Sequence, residues 1–218
     1  MAKHRHTEEA YGEFQRAYDH FNRALFDGCL PPCLITLHRE SKRTYGYFSH
    51  QRFVRLSDGK TVTDEIAMNP LHFGGRNARE VLSTLAHEMV HLWQAHHGRP
   101  SRTAYHNKHW AAKMDEIGLQ PSSTGAPGGK RTGQTMSHTI RAGGSFARAT
   151  AQLMVKGFMI SWADAAGRVE AKMPGRSGRR NKYVCRECSA AAWGKGGLKL
   201  ICGDCDQPMQ AGGTSDDA

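Results

Sequence analysis

The stretch LAHEMVHLWQAHHGR, residues 85–99, holds four of the chain's thirteen histidines and one glutamate. His87 and His91 stand four apart with Glu88 beside the first, so on a helix both imidazoles project from one face with the carboxylate next to them. Val81, Leu82, Leu85, Met89 and Leu92 recur at helical spacing. Asn77 and Glu80 form a capping-box pair ahead of them, and Gly98 and Pro100 close the run. With thirteen His and ten Glu in 218 positions, chance supplies about 0.03 H-E-x-x-H matches. The competing reading is a surface helix with two solvated histidines. Ala86, Val90 and the flanking leucines make the helix apolar nearly all round, which puts it in a core, where an unpaired His or Glu is costly. The expectation is a helix that brings His87 and His91 onto one metal ion and leaves Glu88 facing a water there.

A catalytic zinc takes three protein ligands and keeps one position open. His96, His97, His106 and His109 are the histidine candidates, with Glu116 the nearby glutamate. His97 lies six after His91, the offset of the H-E-x-x-H-x-x-G-x-x-H pattern, but the glycine that turns that pattern out of its helix is here Gln94. If the helix runs on to Gly98, His97 sits about 120° and His96 about 140° round the axis from His91. Neither then reaches the ion, and a ligand from beyond Gly98 is favoured.

Four of the six cysteines fall late, as Cys185-x2-Cys188 and Cys202-x2-Cys205. Paired knuckles at this separation offer four thiolates to a tetrahedral structural zinc rather than a disulfide framework. Cys29 and Cys33 stand apart and read as small buried residues.

Around these motifs the chain reads as mixed α and β. Tyr11, Phe14, Tyr18, Phe21, Leu25 and Phe26 mark an amphipathic first helix stopped by Gly28. Pro31 and Pro32 turn the chain into three short strands, LITLHRE (34–40), YGYFSHQRFVRL (45–56) and TDEIAMNP (63–70). NKHWAAKMDEIG (107–118) is a further helix with Trp110, Met114 and Ile117 on its apolar side. Residues 119–144, rich in Gly, Ser, Thr and Pro, read as irregular connection and a domain boundary; 145–157 suits a short helix and FMISWAD (158–164) a strand.

HEMVHLWQAHHGRPSRTAYHNKHWAAKM (87–114), followed by YVCRECSAAAWGKGGLKLICGDCDQPM (183–209), resembles the SprT-like metallopeptidases, which include Spartan-type proteases acting on protein crosslinked to DNA. In that family the third zinc ligand is a histidine about fifteen residues after the second, opening an H-G-x-x-F-like segment. Here HNKHW matches, with His106 as the ligand, Asn107 where glycine is usual and Trp110 where the aromatic is usual. FNRALFDGCLP and EIAMNP resemble the family's first helix, its turn and the strand before the active helix. The resemblance implies an α+β fold: a zincin-like minimal metallopeptidase domain, a small sheet plus helices carrying the H-E-x-x-H helix, followed by a small zinc ribbon with four cysteine ligands. It also implies a zinc endopeptidase in which His87, His91 and His106 bind the catalytic zinc and Glu88 acts as general base. The EIAMNP strand would be the edge on which an extended substrate pairs. Tyr47, Tyr105 and His109 are candidate oxyanion donors.

The net charge of +10 is unevenly spread. Residues 1–119 carry 16 Lys/Arg against 13 Asp/Glu, residues 120–184 carry 11 against 2, and residues 185–218 carry 3 against 5. The middle excess suits contact with nucleic acid, or a linker kept soluble by charge. Lys130, Arg131, Arg141, Arg176, Arg179, Arg180 and Lys182 are the candidate DNA contacts, with Tyr183 and Trp193 available for base stacking.

The layout expected is a metallopeptidase domain at 1–120, a basic connection with a short helix and strand at 121–181, a zinc ribbon at 182–210 and a disordered tail at 211–218. Two zinc ions per chain follow, one catalytic and one structural, with protein substrates and DNA as partners. MAKHRHTEEAYGEF holds no apolar run of signal-peptide length, and no stretch approaches the roughly 18 apolar residues of a membrane span. A soluble cytoplasmic protein is expected. The rival function is a DNA-binding or regulatory module that keeps the metallopeptidase fold with little turnover.

Overall fold

A computed structural model describes residues 5–39, 44–102, 105–167 and 181–211. The chain divides into two compact units, Met1–Val169 and Glu170–Ala218.

In the first unit, α1 (His6–Leu25) buries Phe14, Tyr18 and Phe21, while Tyr11 on the same stripe stays 40% exposed. Gly28, at φ +72°, reverses the chain, and the Asn22 amide brackets the Leu30 backbone with one donated and one accepted hydrogen bond of 3.1 Å each. The following residues form β1 (Leu34–Leu37), β2 (Gly46–Val54) and β3 (Val62–Met68), in the sheet order β1-β3-β2. β1 runs parallel and β2 antiparallel to β3. The expectation that EIAMNP is a free edge is therefore overturned: β3 is the central strand, its backbone already paired on both sides, and β2 is an outer strand. The register pairs Gly46 with Met68 and Phe48 with Ile66, and antiparallel partners share a face. That face meets α2, because a Cβ on Gly46 would lie 3.0 Å from Thr84 Cγ2 and 3.5 Å from Glu88 Cγ.

α2 (Ala78–His97) opens with the expected reciprocal cap, Asn77 Oδ1 accepting from the Glu80 N–H at 2.9 Å and the Glu80 carboxylate accepting from the Asn77 N–H at 3.0 Å. It continues unbroken to Gly98 and buries Val81, Leu82, Leu85, Met89 and Leu92. α3 (Lys108–Glu116) is capped by Asn107, whose side-chain oxygen accepts from the Trp110 N–H at 2.9 Å.

The chain beyond α3 is not a linker. β4 (Leu119–Ser122) and β5 (Ser137–Ile140) form a hairpin, and α4 (Ser145–Val155) packs on α1, with Phe146 and Phe21 rings 5.4 Å apart and the His20 ring bonded to the Ala149 carbonyl at 2.8 Å. The boundary expected near residue 120 thus falls inside a compact unit. Its loops carry the Gly and Ser that suggested a connection, while Phe146, Ala149 and Leu153 find their apolar cover against α1 and the core it shares with α2. FMISWAD is not a strand: the Ser161 N–H and hydroxyl donate to the Glu13 carboxylate at 2.9 and 2.5 Å, and the Trp162 indole donates to Glu9 at 2.8 Å. The Ser161 N–H is thus taken by an α1 side chain, and the Asp164 N–H by the Pro70 carbonyl at 3.0 Å, rather than by a neighbouring strand. Cys33 is partly buried, but Cys29 is exposed, contrary to its expected burial.

The second unit is a three-stranded sheet of order β7-β6-β8, from β6 (Asn181–Val184), β7 (Ala191–Gly194) and β8 (Gln210–Ala211). Residues 168–180 and 212–218, which include the last part of the expected basic connection and nearly all of the expected tail, lie outside the described residues. No helix among the described residues is long and apolar enough to cross a membrane.

Candidate metal centre

Helix periodicity places His87 and His91 on one face of α2, and the loop after Gly98 returns His106 to them. One ring nitrogen from each of the three lies within 4.8 Å of the others. His91 Nε2 and His106 Nε2 are 3.1 Å apart. Two ligand nitrogens at 2.0–2.1 Å from a tetrahedral zinc would stand about 3.3 Å apart, so the pair fits that ion with a shift of tenths of an ångström. Trp110, fully buried, packs against all three rings at centroid distances of 5.0, 5.5 and 4.4 Å.

His106 is held by both ends of the chain around it. Its N–H donates to the Gly133 carbonyl at 2.8 Å, the Gly133 N–H returns a bond at 3.1 Å, and its ring Nδ1 donates to the same carbonyl at 3.2 Å, which leaves Nε2 as the ligand nitrogen. On the other side Gln94 donates to the Asn107 side-chain oxygen at 2.8 Å and to the Arg99 carbonyl at 3.0 Å, and Asn107 donates to that carbonyl at 3.0 Å. Gln94 and Asn107 both stand where glycine was the reference residue. Bonded to each other, they close the loop that presents His106.

Sequence reasoning missed His138, in β5. Ser83 Oγ donates to the Glu80 carbonyl at 2.8 Å and so accepts from His138 Nε2 at 2.9 Å; His138 Nδ1 is then the acceptor for His87 Nδ1–H at 3.2 Å. This chain fixes the His87 tautomer and reserves Nε2 for a metal. No spacing signal could have found it, since it lies 51 residues from His87 in a segment read as linker.

Burial and the neighbouring rings hold His87 well below the ordinary imidazole range, and burial takes His91 to about 3 and His138 to about 4. All are neutral at physiological pH, the state that ligation needs. Burial pushes the Glu88 carboxyl up to about 8.

The remaining candidates lie elsewhere. His97 bonds the Cys29 carbonyl at 3.0 Å, His96 bonds Asp64 at 2.6 Å, and Glu116 pairs with Lys113 at 2.6 Å. His109 stacks on Trp93 at 5.1 Å and accepts from the Arg99 N–H at 3.3 Å. Tyr47 points to the sheet face opposite Gly46 by strand alternation and meets His38 at 5.9 Å. Tyr105 lies under the Arg102 guanidinium at 4.9 Å.

Of the basic candidates, Arg131 and Arg141 both face Asp115, Lys130 is exposed, and Lys182 sits over the exposed Trp193 ring at 5.8 Å. Arg176, Arg179 and Arg180 lie outside the described residues. Tyr183 belongs to the core of its unit rather than to a stacking surface: it is 2% exposed, and its hydroxyl donates to the Lys195 carbonyl at 2.6 Å and accepts from the Leu198 N–H at 3.0 Å.

In the second unit the sulfurs of Cys185, Cys188, Cys202 and Cys205 lie within 4.8 Å of one another. The two turns are built alike. Ser189 and Asp206, each four after the first cysteine of its pair, adopt φ of 61° and 55°, and each returns its N–H to that cysteine's carbonyl, at 3.0 and 2.9 Å. Backbone N–H groups of Cys188 and Glu187 hold the Cys185 thiol down to about 7, while the Cys188 thiol beside it pushes Cys205 up to about 12.

The SprT-like family model matches residues 14–136, which span both helix-borne histidines, Glu88, His106 and Gly133. The chain belongs to the SprT-like family. It is also similar to an uncharacterized protein in the mucB 3'region of Salmonella typhimurium, 65% identical over 60 residues that cover 28% of this chain and 78% of that protein. No solved structure matches the chain.

Proposed function

We propose that this protein is a zinc-dependent endopeptidase of the cytoplasm that is recruited to DNA and cleaves DNA-bound or DNA-crosslinked protein. The convergence of His87, His91 and His106 beside buried Glu88 carries the reading. Zinc held by the three histidines would polarise a scissile carbonyl and lower the pKa of a water toward about 7. Glu88 takes the proton of the attacking water and delivers it to the departing amine. His138 and Ser83 orient His87, the Gln94–Asn107 pair and Gly133 orient His106, and Trp110 excludes water beneath them.

Among the described residues β2 is the outer strand of its sheet next to the site, since Gly46 lies against Glu88. An extended peptide pairing there would be recognised through its main chain, with weak sequence selectivity. The four cysteines would hold a second, structural zinc, closed to substrate. The net basic segment at 120–184, with Lys130 and the Lys182–Trp193 pair, is the proposed DNA contact.

The test measures DNA-stimulated cleavage of casein and of the chain itself, together with zinc content, in wild type and Glu88→Gln. Expected are two tightly held zincs in both proteins and a loss of activity of about 10²–10⁴-fold in the variant. Equal inertness of wild type and variant with every DNA form would instead favour a binding module without turnover.

A further inference from the structure

We propose that His50, Asp64 and His96 form a second, solvent-facing cation site in the first unit, taking a first-row divalent metal such as Zn²⁺ and pinning the β2–β3 hairpin to the end of α2.

Three elements supply the donors, whose ligand atoms fall within 4.8 Å of one another. His50 Nδ1 lies 2.8 Å from Asp64 Oδ1, and His96 Nε2 lies 2.6 Å from Asp64 Oδ2. Each carboxylate oxygen is matched to one imidazole nitrogen, and the two rings stand edge to face at 5.5 Å. Around a metal with bonds of about 2.0–2.2 Å the same atoms would separate to about 3 Å or slightly more, an opening of tenths of an ångström for two side chains free to move outward. Two imidazoles and one carboxylate, with remaining positions left to water, suit zinc and its first-row neighbours.

The placement follows from the register. Gly46 and Phe48 share the α2-facing side of the sheet with Met68 and Ile66, so strand alternation sends His50 and Asp64 to that same side, toward the end of the sheet. The apolar face therefore ends on a carboxylate only 4% exposed, while His50 and His96 remain 47% and 33% exposed. A buried carboxylate needs compensation, and the exposed rings leave an approach from solvent. A break in the β2–β3 register between Ser49 and Phe53 completes the arrangement: Gln51, at φ 48°, turns its N–H onto Asp64 Oδ1 at 2.7 Å. Bulges of this kind re-aim side chains at sites.

His96 lies five residues beyond His91 on α2, about 140° round the axis and about 7.5 Å along it. One helix thus carries the two clusters on different faces. An ion on the second would fasten the middle of the outer strand whose near end touches Glu88.

The experiment uses the full chain, stripped of metal and titrated with Zn²⁺ alone, with bound zinc counted by mass spectrometry. Wild type is expected to take one equivalent more than His50→Gln or His96→Gln, with the extra site weakened at least about tenfold in either variant. Nitrogen resonances of both rings should shift as that equivalent binds. Because the readout is a difference between wild type and these variants, it stands whether or not the His87 and Cys185 clusters hold zinc. Circular dichroism checks that each variant is folded, and the exposed His50 keeps the test open if His96→Gln is not. Equal zinc uptake by wild type and folded variants, with no ring shifts, would overturn the site and leave a hydrogen-bonded clamp.

Discussion

Between Cys185 and Cys205 four sulfurs meet on two local turns, whereas His87, His91 and His106 meet only because α2, the Gly98–His106 loop and Gly133 pack around one core. Among its described residues the second unit buries Tyr183, Cys185 and Cys202 and little else, so its donors stand where a core would be. The first unit buries a continuous apolar core from Phe14 to Phe158. On the proposed reading, metal would be the architecture of one unit and the reagent of the other.

Metal removal should separate the two most sharply. Chelation or Cys185→Ser is expected to unfold residues 181–211, an effect on the order of 10 kcal/mol if the thiolates hold zinc, while α1 to α4 keep their circular dichroism and hydrogen-exchange protection. Simultaneous melting of both units would break the contrast. Next in size, Phe146→Ala should cost the first unit about 3–5 kcal/mol in urea unfolding, because the ring is fully buried against Phe21. A negligible loss would return residues 145–155 to the status of a linker. Smallest is His138→Phe, which should weaken zinc at the histidine centre by about 10–100-fold in chelator competition and leave the four-cysteine centre untouched. No change would remove His138 from the account of how His87 is oriented.

Local chemistry explains which parts were legible. The cap at Asn77, the stop at Gly98 and the four-residue step from His87 to His91 depend on neighbours within a turn or two, and the structure reproduces them. The dismissal of His96 and His97 as ligands followed from helix rotation alone, although His96 is no bystander once Asp64 is seen beside it. The misreadings share the opposite property. Gly and Ser in residues 119–144 describe loops correctly but say nothing of the hairpin between them, and β3 looked like an edge because pairing order is not written in one strand's composition.

By itself the sequence determined the H-E-x-x-H helix, its two candidate histidine ligands with Glu88, and the two cysteine knuckles, since each is set by spacing along a few residues. Tertiary structure alone decided that β3 is central, that Gly133 and His138 support the histidines, and that His50 joins Asp64 and His96. Those contacts join residues 14 to 51 positions apart, and only packing and strand register bring them together.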